Sequence, residues 1–236
     1  MRNWFFLFLV VPVLAMASGA ELHLDRAPNR SNDKAALQNG AKVFVNYCLN
    51  CHSASYMRYN RLKDLGLTDQ QIKDNLLFTA DKVGEPMNVA MRRDEAKEWF
   101  GVAPPDLTVI ARARASEFGS GADWLYTYLR GFYRDSKRPT GWNNTVFENV
   151  GMPHVLWELQ GEQVLGEDHK LTLATPGKMQ PQAYDDMVAD LVGFLQYMGE
   201  PGAAKRKSLG WIVLLFLGVL FVLAYALKRE YWKDIH

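Results

Sequence analysis

GAKVFVNYCLNCH, residues 40–52, is the stretch on which the fold turns. Cys48 and Cys51 are the chain's two cysteines, and His52 follows the second directly. Ahead of them Ala36, Leu37, Gly40, Val43, Phe44 and Tyr47 recur at helical spacing. A helix therefore runs its apolar face straight into Cys48. Two thiols three apart with an imidazole next have three chemical explanations: a redox dithiol, half of a zinc site, or covalent attachment of a haem.

A reactive dithiol sits at the N-terminus of a helix beside a βαβ pattern, because the dipole lowers the thiol pKa. Here the helix leads into the motif from the other side. A zinc site needs four ligands, and His23, His154, His169 and His236 are scattered with no second pair at ligand spacing. Haem attachment accounts for every position: each thiol forms a thioether to one porphyrin vinyl group, and the next residue lies where an imidazole can bind iron.

The ends of the chain place this motif in an exported protein. Arg2, an apolar run over residues 4–16 and the small residues Ala17, Ser18, Gly19 and Ala20 read as a signal peptide over residues 1–20. Residues 209–227, LGWIVLLFLGVLFVLAYAL, carry no charge and suffice to cross the ~30 Å hydrocarbon core. Basic residues flank both sides of this run, so the positive-inside rule does not orient it; the leader does. The expected layout is a periplasmic domain over residues 21–204, a membrane span over 205–228 and a cytoplasmic tail over 229–236. With 236 residues and a net charge of +1, the chain has room for one core plus appendages and shows no nucleic-acid signal.

Within the exported domain a late helix is marked by Tyr184, Met187, Val188, Leu191, Leu195 and Met198, stopped near Pro201. Thr68 with Gln71 and Ser120 with Asp123 form capping boxes, opening helices that run to Leu77 and Arg130. A further helix is expected over residues 93–100 and a hairpin or ordered loop over 155–173. A haem held by His52 calls for a second ligand, and electron-transfer cytochromes c use methionine there. Met187 and Met198 belong to a helix face and Met57 is too close to the attachment; Met87 is the remaining candidate without a distinguishing setting. Met152, between Gly151 and Pro153 in a loop, leads, with Met179 and Met91 behind. Of Arg112 and Arg114, two apart after Pro104-Pro105, either can meet a haem propionate. Glu158, Glu162, Glu167 and Asp168 offer an acidic field toward a basic partner.

Residues 40–52, with Gly40 and Phe44 four apart, resemble the first helix of class I cytochromes c, and DLVGFL (190–195) resembles the C-terminal helix that crosses it. HSASYMRYNRL (52–62), APPDLTVIARAR (103–114), the Gly-Met at Met152 and the tail KRKSLGWIVLLFLGVLFVLAYALKREYWK (205–233) together resemble the cytochrome c1 family. That family is the haem subunit of the quinol–cytochrome c reductase (cytochrome bc1) complex. The resemblance implies a mainly α, class I cytochrome c-like haem domain with inserted loops, plus one C-terminal transmembrane helix. It further implies one covalent haem c on Cys48 and Cys51, axial ligands His52 and Met152, a propionate contact from Arg114, and Pro105 lining the pocket. The function implied is passage of single electrons from the Rieske iron–sulfur subunit to a c-type cytochrome acceptor, beside a cytochrome b subunit in a bacterial inner membrane. One departure is that Pro-His follows the methionine where many relatives have Ala-Pro-Pro. A tethered cytochrome c of another respiratory enzyme and an exported thiol–disulfide protein without haem are the rival readings.

Overall fold

The computed structural model describes residues 22–234; the leader expected over residues 1–20 lies outside the described residues. The architecture is mainly helical. In chain order the helices are α1 (Lys34–Val43), α2 (Asp69–Asn75), α3 (Arg93–Phe100), α4 (Ile110–Ala113), α5 (Gly121–Arg130), α6 (Trp157–Gln160), α7 (Pro181–Gly199) and α8 (Ala203–Tyr231). Three antiparallel two-stranded ribbons interrupt them: β1 (Ala54–Arg58) with β2 (Pro86–Met87), β3 (Phe132–Arg134) with β4 (Trp142–Asn144), and β5 (Gly161–Leu165) with β6 (Leu171–Pro176).

The core is the crossing of α1 over α7. Asp33 caps α1 by accepting from the Ala36 amide at 3.0 Å. At Gly40 the two backbones touch: a Cβ there would lie 2.1 Å from the Asp190 carbonyl oxygen and 2.8 Å from Phe194 Cβ. One turn on, the Phe44 and Phe194 rings meet at 5.6 Å, and Phe44, Leu191 and Phe194 are fully buried. The crossing expected from residues 40–44 and 190–195 is therefore present. Arg30 reinforces it from outside, with Asp186 at 2.9 Å and Asp190 at 3.2 Å.

α5 packs on α7 through Tyr184, whose buried hydroxyl donates to the Leu129 carbonyl at 2.9 Å. Arg130 at its end grips both oxygens of Asp185 and reaches Asp25 at 2.8 Å. Both anticipated capping boxes form, at Thr68 and Ser120. At Gly121 a Cβ would sit 2.0 Å from the Ala111 carbonyl, so α4 and α5 also approach at backbone distance.

Two expectations are refined. The helix opened by Thr68 ends at Asn75, and the hairpin after residue 155 turns at Gly166–Lys170, with residues 157–160 helical before it. The other two ribbons were not anticipated, since strands of two to five residues are too short to show alternation. The acidic field is largely neutralised: Glu158 pairs with Lys178 at 2.8 Å, Glu162 with Arg134, and Asp168 with Lys170 at 3.9 Å.

After Pro201-Gly202 the chain enters α8, 29 residues or roughly 44 Å at 1.5 Å per residue. Its large apolar side chains, from Leu209 to Tyr231, are exposed. From Lys205 to Tyr231 it is long and apolar enough to cross a membrane.

Candidate haem site

α1 does not stop at Val43. It widens into a π turn over Phe44–Cys48 and ends on the first cysteine. The Cys51 and His52 amides both donate back to the Cys48 carbonyl, at 3.1 and 2.9 Å, so one tight reversal gathers both thiols and the imidazole. Cys48 is buried, Cys51 half-buried, and both thiols are free. Burial, with a smaller push from Cys51, takes the Cys48 thiol up to about 12. A redox dithiol needs the opposite shift, and Cys48 stands at the wrong end of its helix to receive it.

His52 is fixed by its ring nitrogen. Nδ1 lies 2.8 Å from the Pro105 carbonyl oxygen, which can only accept, so Nδ1 carries the proton and Nε2 keeps its lone pair. Burial lowers the His52 pKa against the opposing pull of Pro105 and Asp106, which favours neutral imidazole. Pro105 is held in turn by its neighbour. Asp106 accepts from the Ser55 amide (2.8 Å), the Thr108 amide (2.8 Å) and the Thr108 hydroxyl (2.6 Å). The Leu107 amide donates to the Ser53 carbonyl at 2.8 Å. Segments 53–56 and 105–108 are thus laced together around the imidazole.

Met152 is half-buried in the irregular segment after β4. The buried Tyr128 on α5 donates its hydroxyl to Met152 Sδ at 3.4 Å. Tyr128 belongs to a column of rings. Trp124 stacks on it at 4.8 Å and Phe132 meets it edge-on at 5.1 Å. His154 stacks on Phe132 at 4.7 Å and Trp142 closes the column at 5.0 Å from His154. An arginine caps each end, Arg114 over Trp124 at 4.5 Å and Arg134 over Trp142 at 4.0 Å. His154 is 2% exposed, and burial pushes its pKa down to about 4. Two buried asparagines shape the loop between β4 and Met152. Asn144 donates to the Tyr128 carbonyl at 2.8 Å and accepts from Val146 and Phe147; Asn143 accepts from the Asn149 amide at 2.8 Å.

The competing methionines fare differently. Met57, Met87, Met187 and Met198 are core residues, while Met91 and Met179 are half-buried. The two arginines also separate: Arg112 faces Glu200 at 3.7 Å, whereas Arg114 has only ring partners, Trp124 and Phe147, among the described residues. Tyr128, His154, Asn143, Asn144 and Asp106 were missed by sequence reasoning. The one usable signal was Trp124 and Tyr128 at i and i+4 on an expected helix, a spacing that stacks rings.

These groups fit a covalently held haem. A neutral imidazole and a thioether are donors of the kind that suit low-spin iron in an electron-transfer cytochrome. Val102, Phe147 and Trp124, joined to Met152 through Gly151, Arg114 and Tyr128, leave apolar surface exposed beside it. No group of three or more His, Cys, Asp or Glu among the described residues converges as a metal site.

The model of the Cytochrome C1 family matches residues 25–235. The chain belongs to the cytochrome c1 family. A cytochrome c1 from Allochromatium vinosum is 49% identical, the match covering 97% of this chain and 96% of that one. A cytochrome c1 from Rhodospirillum rubrum is 30% identical over 86% of this chain and 83% of its own length. A relative from Nitrosomonas europaea named ammonia monooxygenase gamma subunit is 52% identical over 97% and 95%. Cytochrome c1 is an electron-transfer haem subunit of the quinol–cytochrome c reductase, an oxidoreductase, and the family carries covalently bound haem c. Cys48, Cys51 and His52 supply the C-x-x-C-H pattern that this attachment requires. As a cytochrome c1, the chain has in α8 the C-terminal helix that anchors such a domain in a membrane.

Proposed function

We propose that Cys48 and Cys51 form the two thioethers, that His52 Nε2 and Met152 Sδ are the axial ligands, and that Arg114 meets a propionate. The observation that carries the reading is the His52–Pro105 hydrogen bond, which leaves one imidazole lone pair free on a turn that also bears both thiols. When bound, the haem supplies reversible one-electron chemistry at its iron. The residues do the rest: Pro105 orients the imidazole and holds its proton on Nδ1, the apolar side chains exclude water, and Tyr128 polarises the thioether. No side chain is asked for acid–base or nucleophilic work.

In this reading residues 21–204 form the periplasmic domain of a bacterial inner-membrane protein, residues 205–228 span the membrane and residues 229–236 are cytoplasmic. Electrons arrive from a Rieske iron–sulfur subunit and leave to a c-type cytochrome, with α8 against a cytochrome b subunit. Two measurements on the membrane-extracted chain test this. A pyridine haemochrome spectrum should report covalent haem at one per chain, and none would end the reading. A cytochrome b and a Rieske protein should co-purify, with quinol-dependent cytochrome c reduction. The name of the Nitrosomonas europaea relative supports a second reading, the same haem subunit within a monooxygenase assembly. Co-purification of a copper or non-haem-iron oxygenase in place of cytochrome b would favour it.

A further inference from the structure

The electron-transfer reading uses α8 only as a tether and leaves its first turns unexplained. Lys205, Arg206 and Lys207 stand ahead of the apolar run, on the side of the haem domain. Positive charge on an exported side does nothing to orient a span. Arg206 is tied to Glu200, which Arg112 also faces. Lys205 and Lys207 are exposed, and neither has a carboxylate partner among the described residues. At the far end the pattern differs, with Lys233 paired to Glu230 at 2.7 Å and Lys228 over the Trp232 ring at 5.8 Å.

Lys207 borders a cleft of about 520 Å³, within the roughly 300–1,000 Å³ of ligand pockets, whereas Lys205, two residues back, projects from another side of the helix. Arg26 and Asn29 of the N-terminal segment, Ser120 at the start of α5, Tyr197 on α7 and Lys207 on α8 are among its walls. Its two carboxylates are already engaged. Glu200 has its arginines, and Asp123 accepts from the Ala27 amide (2.7 Å) and from the Ser120 amide (3.1 Å) and hydroxyl (2.6 Å). The uncompensated charge at the cleft is positive, next to amide and hydroxyl groups that suit a polyol.

The depth is fixed by the helix itself. At 1.5 Å per residue, Lys207 and Lys205 lie roughly 3 and 6 Å beyond Leu209, where the apolar run begins. A headgroup layer is about 5–7 Å thick on each side of the hydrocarbon. Trp211, 76% exposed, lies just inside, as an interfacial aromatic does. The cleft therefore opens at the level of lipid phosphates.

We infer that this cleft binds the anionic headgroup of a phospholipid from the leaflet on the haem-domain side, with Lys207 at its phosphate and Asn29 and Ser120 beside its hydroxyl groups. The acyl chains run down the exposed face of α8. The inference rests on α8 crossing a membrane and not on the haem ligands, so its failure leaves the electron-transfer reading standing.

The full-length holo-chain, extracted in a neutral detergent, is titrated with phosphatidylglycerol or phosphatidylcholine, and retained lipid is counted by native mass spectrometry. Phosphatidylglycerol should be held at least tenfold more tightly. Lys207→Gln should weaken it by roughly fivefold, while Lys205→Gln, off the cleft, and Lys228→Gln with Arg229→Gln should leave the tightest lipid in place. All four positions are exposed on α8, and an unchanged haem spectrum reports intact folding. Equal retention of the two lipids, or equal loss in Lys207→Gln and in the variants off the cleft, overturns the site. Inorganic phosphate binding as tightly as the lipid makes the ligand a free anion and overturns the lipid assignment.

Discussion

His52 and Met152 are held by different means. The imidazole is fixed by a four-residue turn, a carbonyl and one carboxylate, drawn from two segments that hydrogen-bond directly. The thioether is fixed by one weak hydrogen bond and a column of rings from α5, β3, β4 and the loop after it. A covalent attachment needs only local geometry, because two bonds do the positioning. Met152, the proposed ligand a hundred residues later, needs a scaffold, and the scaffold here is aromatic packing. The two sides should therefore fail differently.

The largest effect is expected where the histidine side meets the core. Gly40→Val places carbon within van der Waals radii of the Asp190 carbonyl, which is backbone and cannot step aside. A cost above about 3 kcal/mol is expected, seen as a lower thermal midpoint in both helicity and haem absorbance. A midpoint within a few degrees of wild type would mean that α1 and α7 have slack. Next comes Met152→Leu, which spares the cysteine attachment. Haem should stay bound in full while the potential falls on the order of 0.2 V, within the ~0.8 V span that axial ligands command. An unchanged potential would move the ligand to Met179 or Met91.

This contrast also explains what could be read in advance. Cys48, Cys51 and His52 were legible because their chemistry is compressed into five residues, and α1 and α7 because each buries a face of 3.6-residue period. Met152 stands out among the methionines by its loop setting between Gly151 and Pro153, by elimination of its rivals and by the family resemblance, and its role as ligand is a proposal. Tyr128 and His154 were not legible, since a buried tyrosine or histidine looks the same in sequence whether it packs in a core or backs a ligand. The role of Pro105 changed most: its carbonyl, a group every residue has, orients the imidazole. No side-chain pattern encodes that.

The two sides should also respond differently to acid. Burial depresses the His154 pKa to about 4, against about 6.5 in an unfolded chain. Above pH 6.5 the ring is neutral in both states and its contribution is complete. Between pH 6.5 and 4 the unfolded chain takes up a proton that the fold refuses, removing about 3 kcal/mol by pH 4. Asp106 behaves otherwise: burial would raise its pKa, but the hydrogen bonds from Thr108 and Ser55 outweigh that and lower it. Its contribution is complete above the ordinary ~3.9 and is lost only as pH falls below that value. Denaturant midpoints between pH 7 and 4 should fall in the wild type and fall less steeply in His154→Phe, which keeps the ring stack on Phe132; the remaining slope belongs to His52, whose pKa burial also lowers. A slope unchanged by the substitution would place the titrating group elsewhere.

The smallest effect separates polarity from packing in the column itself. Burial raises the Tyr128 pKa far above that of a free phenol, so the hydroxyl keeps its proton and is the donor to Met152 Sδ. A donated bond draws electron density from the sulfur and weakens it as a ligand to oxidised iron more than to reduced iron. Tyr128→Phe removes that pull and retains the stacking on Trp124 and Phe132. The oxidised state gains, and the potential should fall. A bond of 3.4 Å to sulfur is worth about 0.5–1 kcal/mol, or roughly 20–40 mV for one electron at 59 mV per tenfold change. Potentiometric titration resolves a shift of this size, and the methionine–iron charge-transfer absorption should persist because the ligand is still in place. Loss of that absorption would mean that the hydroxyl holds the loop and does more than tune it. A potential equal to wild type would reduce Tyr128 to a packing residue, leaving Met152 positioned by the rings alone.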